Sequence, residues 1–288
     1  MLSILSGQLP RSAVNAPIIL PEEYRTLQPF VTLLEKMGSL YTQHFSPSNT
    51  AQRLRTTFDL TYEGTLASAN TTKPLFAALV KGLLSPISTA ETMNINIVNA
   101  ELIAKERGIL INESRSRDQP EQEGYSATVT LRARLDPRSP SASRSIRPDP
   151  MRTVSSMSTG RQRKIEDQII TGFVSHNTPY ISRLGRYEAS FIPEGTMLIC
   201  RNIDQPGKIG MVGGVLGQAG VNIRFMSVAP IHEEGTVTPE SGEAQNGEEI
   251  KREREALMIL GVDRAVDEEV KKSLIGENGV LEVSVVSL

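Results

Sequence analysis

The sequence predicts an α+β protein built as two domains. Two observations carry that prediction. From Gly195 to Leu288, apolar runs and helical spacings alternate in the order strand, helix, strand, strand, helix, strand. Upstream, between residues 25 and 194, helical periodicity and strict apolar–polar alternation occur in one stretch, which predicts a mixed α/β domain. The length agrees, since 288 residues at roughly 100–200 per domain suggests two.

Residues 1–24 read as a connector, punctuated by Pro10, Pro17 and Pro21 and lacking a sustained period. A helix is expected over 22–37, where Tyr24, Leu27, Phe30, Val31, Leu34 and Met37 fall at helical spacing. Residues 53–63 alternate as a half-buried strand does. Residues 73–84 read as a helix with Pro74 at an early, tolerated position. Residues 93–97 suggest a short strand, and 99–107 a helix that Gly108 ends. Strands follow at 109–113 and 125–134, joined by a polar, acidic turn. Residues 136–165 are rich in Ser, Pro and Arg and read as a disordered insertion. Its positive charge and serines suit an acidic partner or phosphorylation, or simply a solvated loop. Strand signals return at 166–174 and 187–192.

The second domain starts at Gly195. Strands are expected at 196–203, 221–228, 256–262 and 279–288, with helices at 208–218 and 266–274. A second polar insertion, acidic and glycine-containing, occupies 230–252. The order β-α-β-β-α-β is that of the ferredoxin-like split βαβ.

Composition excludes several classes. Lys+Arg 31 against Asp+Glu 33 leaves a net charge of −2, so overall charge does not drive the chain onto nucleic acid or an anionic membrane. No stretch approaches the ~20 apolar residues of a membrane-spanning helix. The first eleven residues make a poor signal peptide. A single cysteine, Cys200, excludes an intrachain disulfide framework and an all-cysteine metal site, and it reads as a buried strand residue. A reducing, cytoplasmic setting is the default expectation. The three histidines, His44, His176 and His232, have no spacing typical of a metal pair, and neither a GxSxG elbow nor a P-loop is present. No catalytic or metal-ligating residue is therefore assigned.

The stretch from Gly207 to Gly220 invites a dinucleotide-binding reading and fails it on spacing. Gly207, Gly210, Gly213, Gly217 and Gly220 step by three or four, which lines a helix face, whereas a Rossmann turn needs G-x-G-x-x-G. Each helical glycine costs roughly 1 kcal/mol relative to alanine. The expected compensation is close approach of a neighbouring helix or sheet.

NIDQPGKIGMVGGVLGQAGVNI, residues 202–223, resembles the signature of an ACT domain, a module that binds amino acids at a strand–helix turn, usually at a dimer interface. KPLFAALVKGLLSPI (73–87), VNAELIAKERGI (98–109) and INESRSRD (111–118) resemble the allosteric substrate-binding domain of long-form D-3-phosphoglycerate dehydrogenases. The connector SGQLPRSAVNAP (6–17) is similar to the exit from the catalytic half of those enzymes. The resemblance covers nearly the whole chain outside the two insertions. It implies an allosteric substrate-binding domain over 25–194 and an ACT domain over 195–288. In that family the NAD-binding and catalytic residues precede the connector, so the chain is expected to be a regulatory half that binds no NAD itself. Iron–sulfur L-serine dehydratases pair the same two domains, and a stand-alone amino-acid sensor is a third reading.

The resemblance implies an L-serine effector site at the turn after the first ACT strand. Asp204 would receive the ammonium, and the N–H groups of Lys208 and Ile209, after Gly207, would receive the carboxylate. Asn202 stands where the family often carries a His or Tyr contact. Asn222 would reach across a dimer interface, which implies a homo-oligomer. Taken without the resemblance, Asp204 and Asn222 read more readily as turn residues bonding their own backbone than as ligand contacts. In the first domain, Arg115 and Arg186 match basic positions of the family's anion site, while Tyr125 replaces another. No nucleic acid or membrane partner is expected.

Overall fold

The computed structural model describes residues 21–45, 57–88, 94–116, 125–134, 168–230, 255–275 and 279–288. The connector before Pro21, the Ser/Pro/Arg insertion at 136–165, the acidic turn before Tyr125 and nearly all of the insertion at 230–252 lie outside them. The chain divides into two compact units, Met1–Tyr180 and Ile181–Leu288.

In the first unit, helix α1 (Pro21–His44) packs on helix α2 (Lys73–Leu84). Helix α1 runs a full two turns past the expected stop at Met37, because Leu40 and Tyr41 continue its buried face. The helices cross where both are glycine. A Cβ on Gly38 would lie 2.7 Å from the Leu79 carbonyl oxygen, and one on Gly82 would fall on the Glu35 carbonyl. Backbone therefore touches backbone, and Thr42 Oγ1 donates across the joint to the Leu83 carbonyl at 2.8 Å.

Beneath these helices lies a sheet in the order β2-β1-β3-β4. Its strands are β1 (Thr57–Gly64), β2 (Leu110–Ser116), β3 (Ala127–Arg134) and β4 (Ile169–Ser175). The alternation in β1 buries Phe58, Leu60 and Tyr62 completely and turns Asp59, Thr61 and Glu63 the other way. Strand β1 is parallel to β2 and antiparallel to β3, so the two strands flanking the acidic turn are not neighbours. The crossover from β1 to β2 carries α2 and helix α3 (Ala100–Glu106), which Gly108 stops at φ 72°.

The strand expected at 93–97 does not form in its described part, residues 94–97. Asparagine side chains take the local hydrogen bonds a strand would need. Asn96 Oδ1 accepts from the Val98 N–H at 2.9 Å, and Asn99 Nδ2 donates to the Asn94 carbonyl at 2.7 Å. A strand absent from the sequence reading, β5 (Thr178–Leu184), follows β4 through a turn in which His176 and Asn177 both have positive φ, 50° and 62°.

The second unit holds β6 (Tyr187–Phe191), antiparallel to β5, and a four-stranded sheet. That sheet is β7 (Thr196–Ile203), β8 (Ile223–Pro230), β9 (Glu255–Val262) and β10 (Val280–Ser287), in the order β10-β7-β9-β8. All three pairings are antiparallel. Helix α4 (Lys208–Gln218) links β7 to β8, and helix α5 (Glu268–Leu274) links β9 to β10, which reproduces the predicted element order. Leu198, Cys200, Met258 and Leu260 meet Val212 and Leu216 of α4 and Leu274 of α5 in one core.

The glycines of α4 do not pack as expected. Among the described residues, a Cβ added at Gly210, Gly213, Gly214 or Gly217 would meet nothing within 4 Å. The helix seats itself through Val212 and Leu216, and the glycine stripe falls on the opposite side.

The two kinds of helical glycine predict opposite mutational signs. Gly82→Ala should destabilise the first unit by more than about 2 kcal/mol through overpacking. Gly214→Ala should stabilise the second unit by up to about 1 kcal/mol. Urea unfolding followed by circular dichroism checks both, and a neutral Gly82→Ala would refute the backbone contact.

Candidate functional site

Strand β7 ends in the turn that opens α4. Its inward positions are Leu198, Cys200 and, by alternation, Asn202. Asn202 is 3% exposed, which is unusual for an amide. Its Nδ2 donates to the Ile203 carbonyl at 3.1 Å, whereas its Oδ1 is buried with no hydrogen-bond partner among the described residues. An unpaired buried acceptor costs about 1–3 kcal/mol. Here it lies two residues before Asp204, whose carboxylate is exposed.

Gly207 caps α4 at φ 87°, a conformation that favours glycine even though a Cβ would find open space there. It supplies no capping side chain, so the Ile209 amide is left without a side-chain acceptor at the positive end of the helix dipole, while the Lys208 N–H makes a long bond to the Gln205 carbonyl at 3.4 Å. Ile209 is 51% exposed. The Lys208 side chain lies across Gly279, where an added Cβ would sit 2.5 Å from Nζ. The Gly279 carbonyl in turn accepts from the Ile203 N–H at 3.0 Å, which ties the start of β10 to the end of β7. Asn202, Asp204, Gly207, Lys208 and Ile209 thus share one turn.

Asn222 stands elsewhere. It is exposed at the far end of α4, one helix length or about 16 Å away. Its N–H donates to Asp263 Oδ1 at 3.0 Å, and its carbonyl accepts from the Asp263 N–H at 3.1 Å. The Asn222 N–H, with help from Arg264, holds the Asp263 carboxyl below the usual range.

The two arginines assigned to an anion site belong to different units. Arg115 is exposed on β2 and donates from Nη1 to the Ala69 carbonyl at 2.9 Å. Arg186 donates from Nη2 to Glu255 Oε2 at 3.1 Å and lies 6.0 Å from the centroid of the Tyr187 ring. Tyr125 stacks on Phe173 at 3.7 Å, and Phe173 on Tyr180 at 5.2 Å, so Tyr125 serves as aromatic cover.

Sequence reasoning missed a charged cluster on β7, β9 and β10. Glu255 Oε2 accepts from Arg186, from Tyr187 Oη at 3.1 Å and from Arg201 Nη1 at 3.2 Å. Arg201 Nη2 also reaches Glu282 at 3.4 Å. Burial, and then the Glu255 carboxylate, push the Tyr187 hydroxyl up to about 12. Glu255 and Glu282 raise Arg201 further despite its partial burial. The only sequence signal was a charged residue opening an apolar run, which gives no partner. Among the described residues no group of three His, Cys, Asp or Glu side chains is placed to hold a metal ion. No helix among them is long and apolar enough to cross a membrane.

Residues 26–149 match the family model of the D-3-phosphoglycerate dehydrogenase intervening domain. Over nearly its full length the chain is a relative of the D-3-phosphoglycerate dehydrogenases. It is 30% identical over 280 residues to D-3-phosphoglycerate dehydrogenase 2, chloroplastic, of Arabidopsis thaliana, covering 96% of this chain and 38% of that protein. It is 31% identical over 285 residues to the D-3-phosphoglycerate dehydrogenase of Methanocaldococcus jannaschii, covering 99% of this chain and 43% of that protein. The enzyme of Bacillus subtilis is 24% identical over 288 residues, which are 44% of its length. The chain therefore spans about two fifths of the curated relatives it matches.

Cys200, one inward position before Asn202, reports on this strand. Burial pushes its thiol up to about 12. Its folded pKa lies above the unfolded value, so the stability tied to the protonated thiol is complete below about pH 8.5. It is lost as pH rises toward 12. At pH 8 the native chain should be alkylated at least about 100-fold more slowly than the urea-unfolded chain. Equal rates would show that the β7 core is open.

Proposed function

We propose that this chain is the regulatory portion of a D-3-phosphoglycerate dehydrogenase and that it binds L-serine as a feedback effector at the β7–α4 turn. In this reading the whole enzyme oxidises 3-phosphoglycerate with NAD, and NAD is held by residues outside this chain. The intervening domain occupies the first unit and an ACT domain the second. The setting is the reducing cytoplasm expected from the single cysteine.

One observation carries the reading: an Asn202 carbonyl oxygen that is buried and unpartnered among the described residues, beside a helix N-terminus that has no capping side chain. An amino acid complements both. Its carboxylate takes the Ile209 amide and, in exchange for the long 3.4 Å bond to the Gln205 carbonyl, the Lys208 amide, with the helix dipole behind them. Its ammonium takes Asp204, and one of its remaining donors takes Asn202 Oδ1. Asn222 joins only if a second copy brings its own, since the two lie at opposite ends of α4. Strand β8 supports such pairing. It is an edge strand whose Met226 and Val228 are each 42% exposed, and the glycine face of α4 has no neighbour among the described residues. Serine then regulates by binding one arrangement of the copies better than another.

Calorimetry of the full chain with L-serine, with D-serine and L-alanine as controls, tests the site. L-serine should bind, and Asp204→Ala should weaken it by about 10-fold or more, the worth of a charge-assisted hydrogen bond. Asn202→Leu should remove binding while raising stability, because the orphaned acceptor is gone. Unchanged affinity in Asp204→Ala would reject the assignment. Denaturing mass spectrometry of the native polypeptide tests the larger reading, which expects roughly 300 further residues, two more domains.

A further inference from the structure

We propose that Glu255 is a positioning residue that couples the β7–α4 turn to the β5–β6 hairpin. The proposal deepens the serine reading and rests on it. One carboxylate oxygen, Glu255 Oε2, is shared by three donors from two elements. Arg201 on β7 lies at 3.2 Å, while Arg186 and Tyr187, at the start of β6, each lie at 3.1 Å.

The position of this oxygen follows from register. Glu255 pairs with Ile203, the last ladder pair before the turn, and Asn202 pairs with Ala256. Arg201 and Asn202 are consecutive, so they project to opposite faces of β7. One neighbour addresses the candidate ligand, and the other is held by Glu255 and Glu282. On the other side, Tyr187 pairs with Leu184 in the β5–β6 hairpin, through which the chain enters the second unit.

The distances explain why the joint can respond. Charge-assisted N–H···O bonds settle near 2.7–2.9 Å. Both guanidinium bonds here are longer, at 3.1 and 3.2 Å, and one oxygen serves all three donors. A small shift of β7 that strengthens the Arg201 bond must weaken those of Arg186 and Tyr187. An amino acid drawing Asn202 Oδ1 toward itself applies such a shift to the strand end. Arg186 thereby acts on an internal carboxylate of the second unit.

The test uses the full chain and L-serine. Calorimetry gives binding, and hydrogen–deuterium exchange of the 187–191 peptide gives the response of β6. In the wild type, saturating serine should change exchange in β6 by about threefold or more. Glu255→Gln should bind serine within about threefold of wild type yet lose that change, a split that a purely structural residue would not produce. Tyr187→Phe, which removes one donor and keeps the ring, should bind serine and show a reduced change. Binding with no response in the wild type, or with an equal response in Glu255→Gln, overturns the coupling alone. Absence of any serine binding overturns the serine reading and the coupling together.

Discussion

Strand β7 is the constraint on which the second unit depends. It lies between β10 and β9, so both of its edges are hydrogen-bonded and its register is set from two sides. That register divides its side chains between two faces. Leu198 and Cys200 enter the helix-side core, and Asn202 is carried inward behind them. Met197 and Ile199 are buried on the other face, and Arg201 is carried toward Glu255 and Glu282. A slip of one residue would exchange the two sets, placing a guanidinium in the core and the amide among carboxylates. The candidate ligand contact and the charged joint are therefore consequences of one packing decision.

Glycine serves three separate purposes in the chain, and only context tells them apart. Gly38 and Gly82 are absences of volume, because the α1–α2 crossing leaves no room for a Cβ. Gly207 and Gly220 are conformational, with φ of 87° and 68° at the two ends of α4. Gly210, Gly213, Gly214 and Gly217 answer to neither need, having ordinary helical backbone and open space around them. They cost helix stability that nothing among the described residues returns. Such a surface suits a close neighbour, which agrees with pairing between copies.

Much of the fold was legible from periodicity. Helices α2 and α4 and strand β7 begin and end where spacing put them, because their boundaries are set by strong local signals: Pro74, the left-handed Gly207 and Gly220, and unbroken apolar runs. The errors have equally local causes. The strand expected at 93–97 lost to asparagine side chains that bond nearby backbone. Strand β5 was hidden because His176 and Asn177 make its tight turn without a glycine to announce it. The period of the α4 glycines was read correctly and their face wrongly, since period fixes which residues align but not which side meets the sheet. The turn from Asn202 to Ile209 was legible because it is contiguous. The Glu255 cluster was not, because it gathers residues 186, 187, 201, 255 and 282 through strand pairing that no spacing encodes.

The physical case for a ligand at the β7–α4 turn is that two costs coincide there. A buried amide oxygen without a donor forfeits about 1–3 kcal/mol. A helix start capped by glycine rather than by a side-chain acceptor forfeits roughly a few tenths of a kcal/mol more. Either alone is an ordinary imperfection. Placed in one turn they are complementary, since the first lacks a donor and the second has no side-chain acceptor, only a long bond from the Lys208 N–H to the Gln205 carbonyl at 3.4 Å. A ligand that satisfies both must carry a donor and an anionic acceptor a few atoms apart. A free amino acid is the smallest common molecule of that description, and the exposed Asp204 carboxylate adds a place for its positive end. A phosphate or simple carboxylate would satisfy the helix and leave Asn202 as it is. A neutral alcohol would do the reverse. In the proposed reading, the turn would discriminate by chemistry before any second copy contributed Asn222.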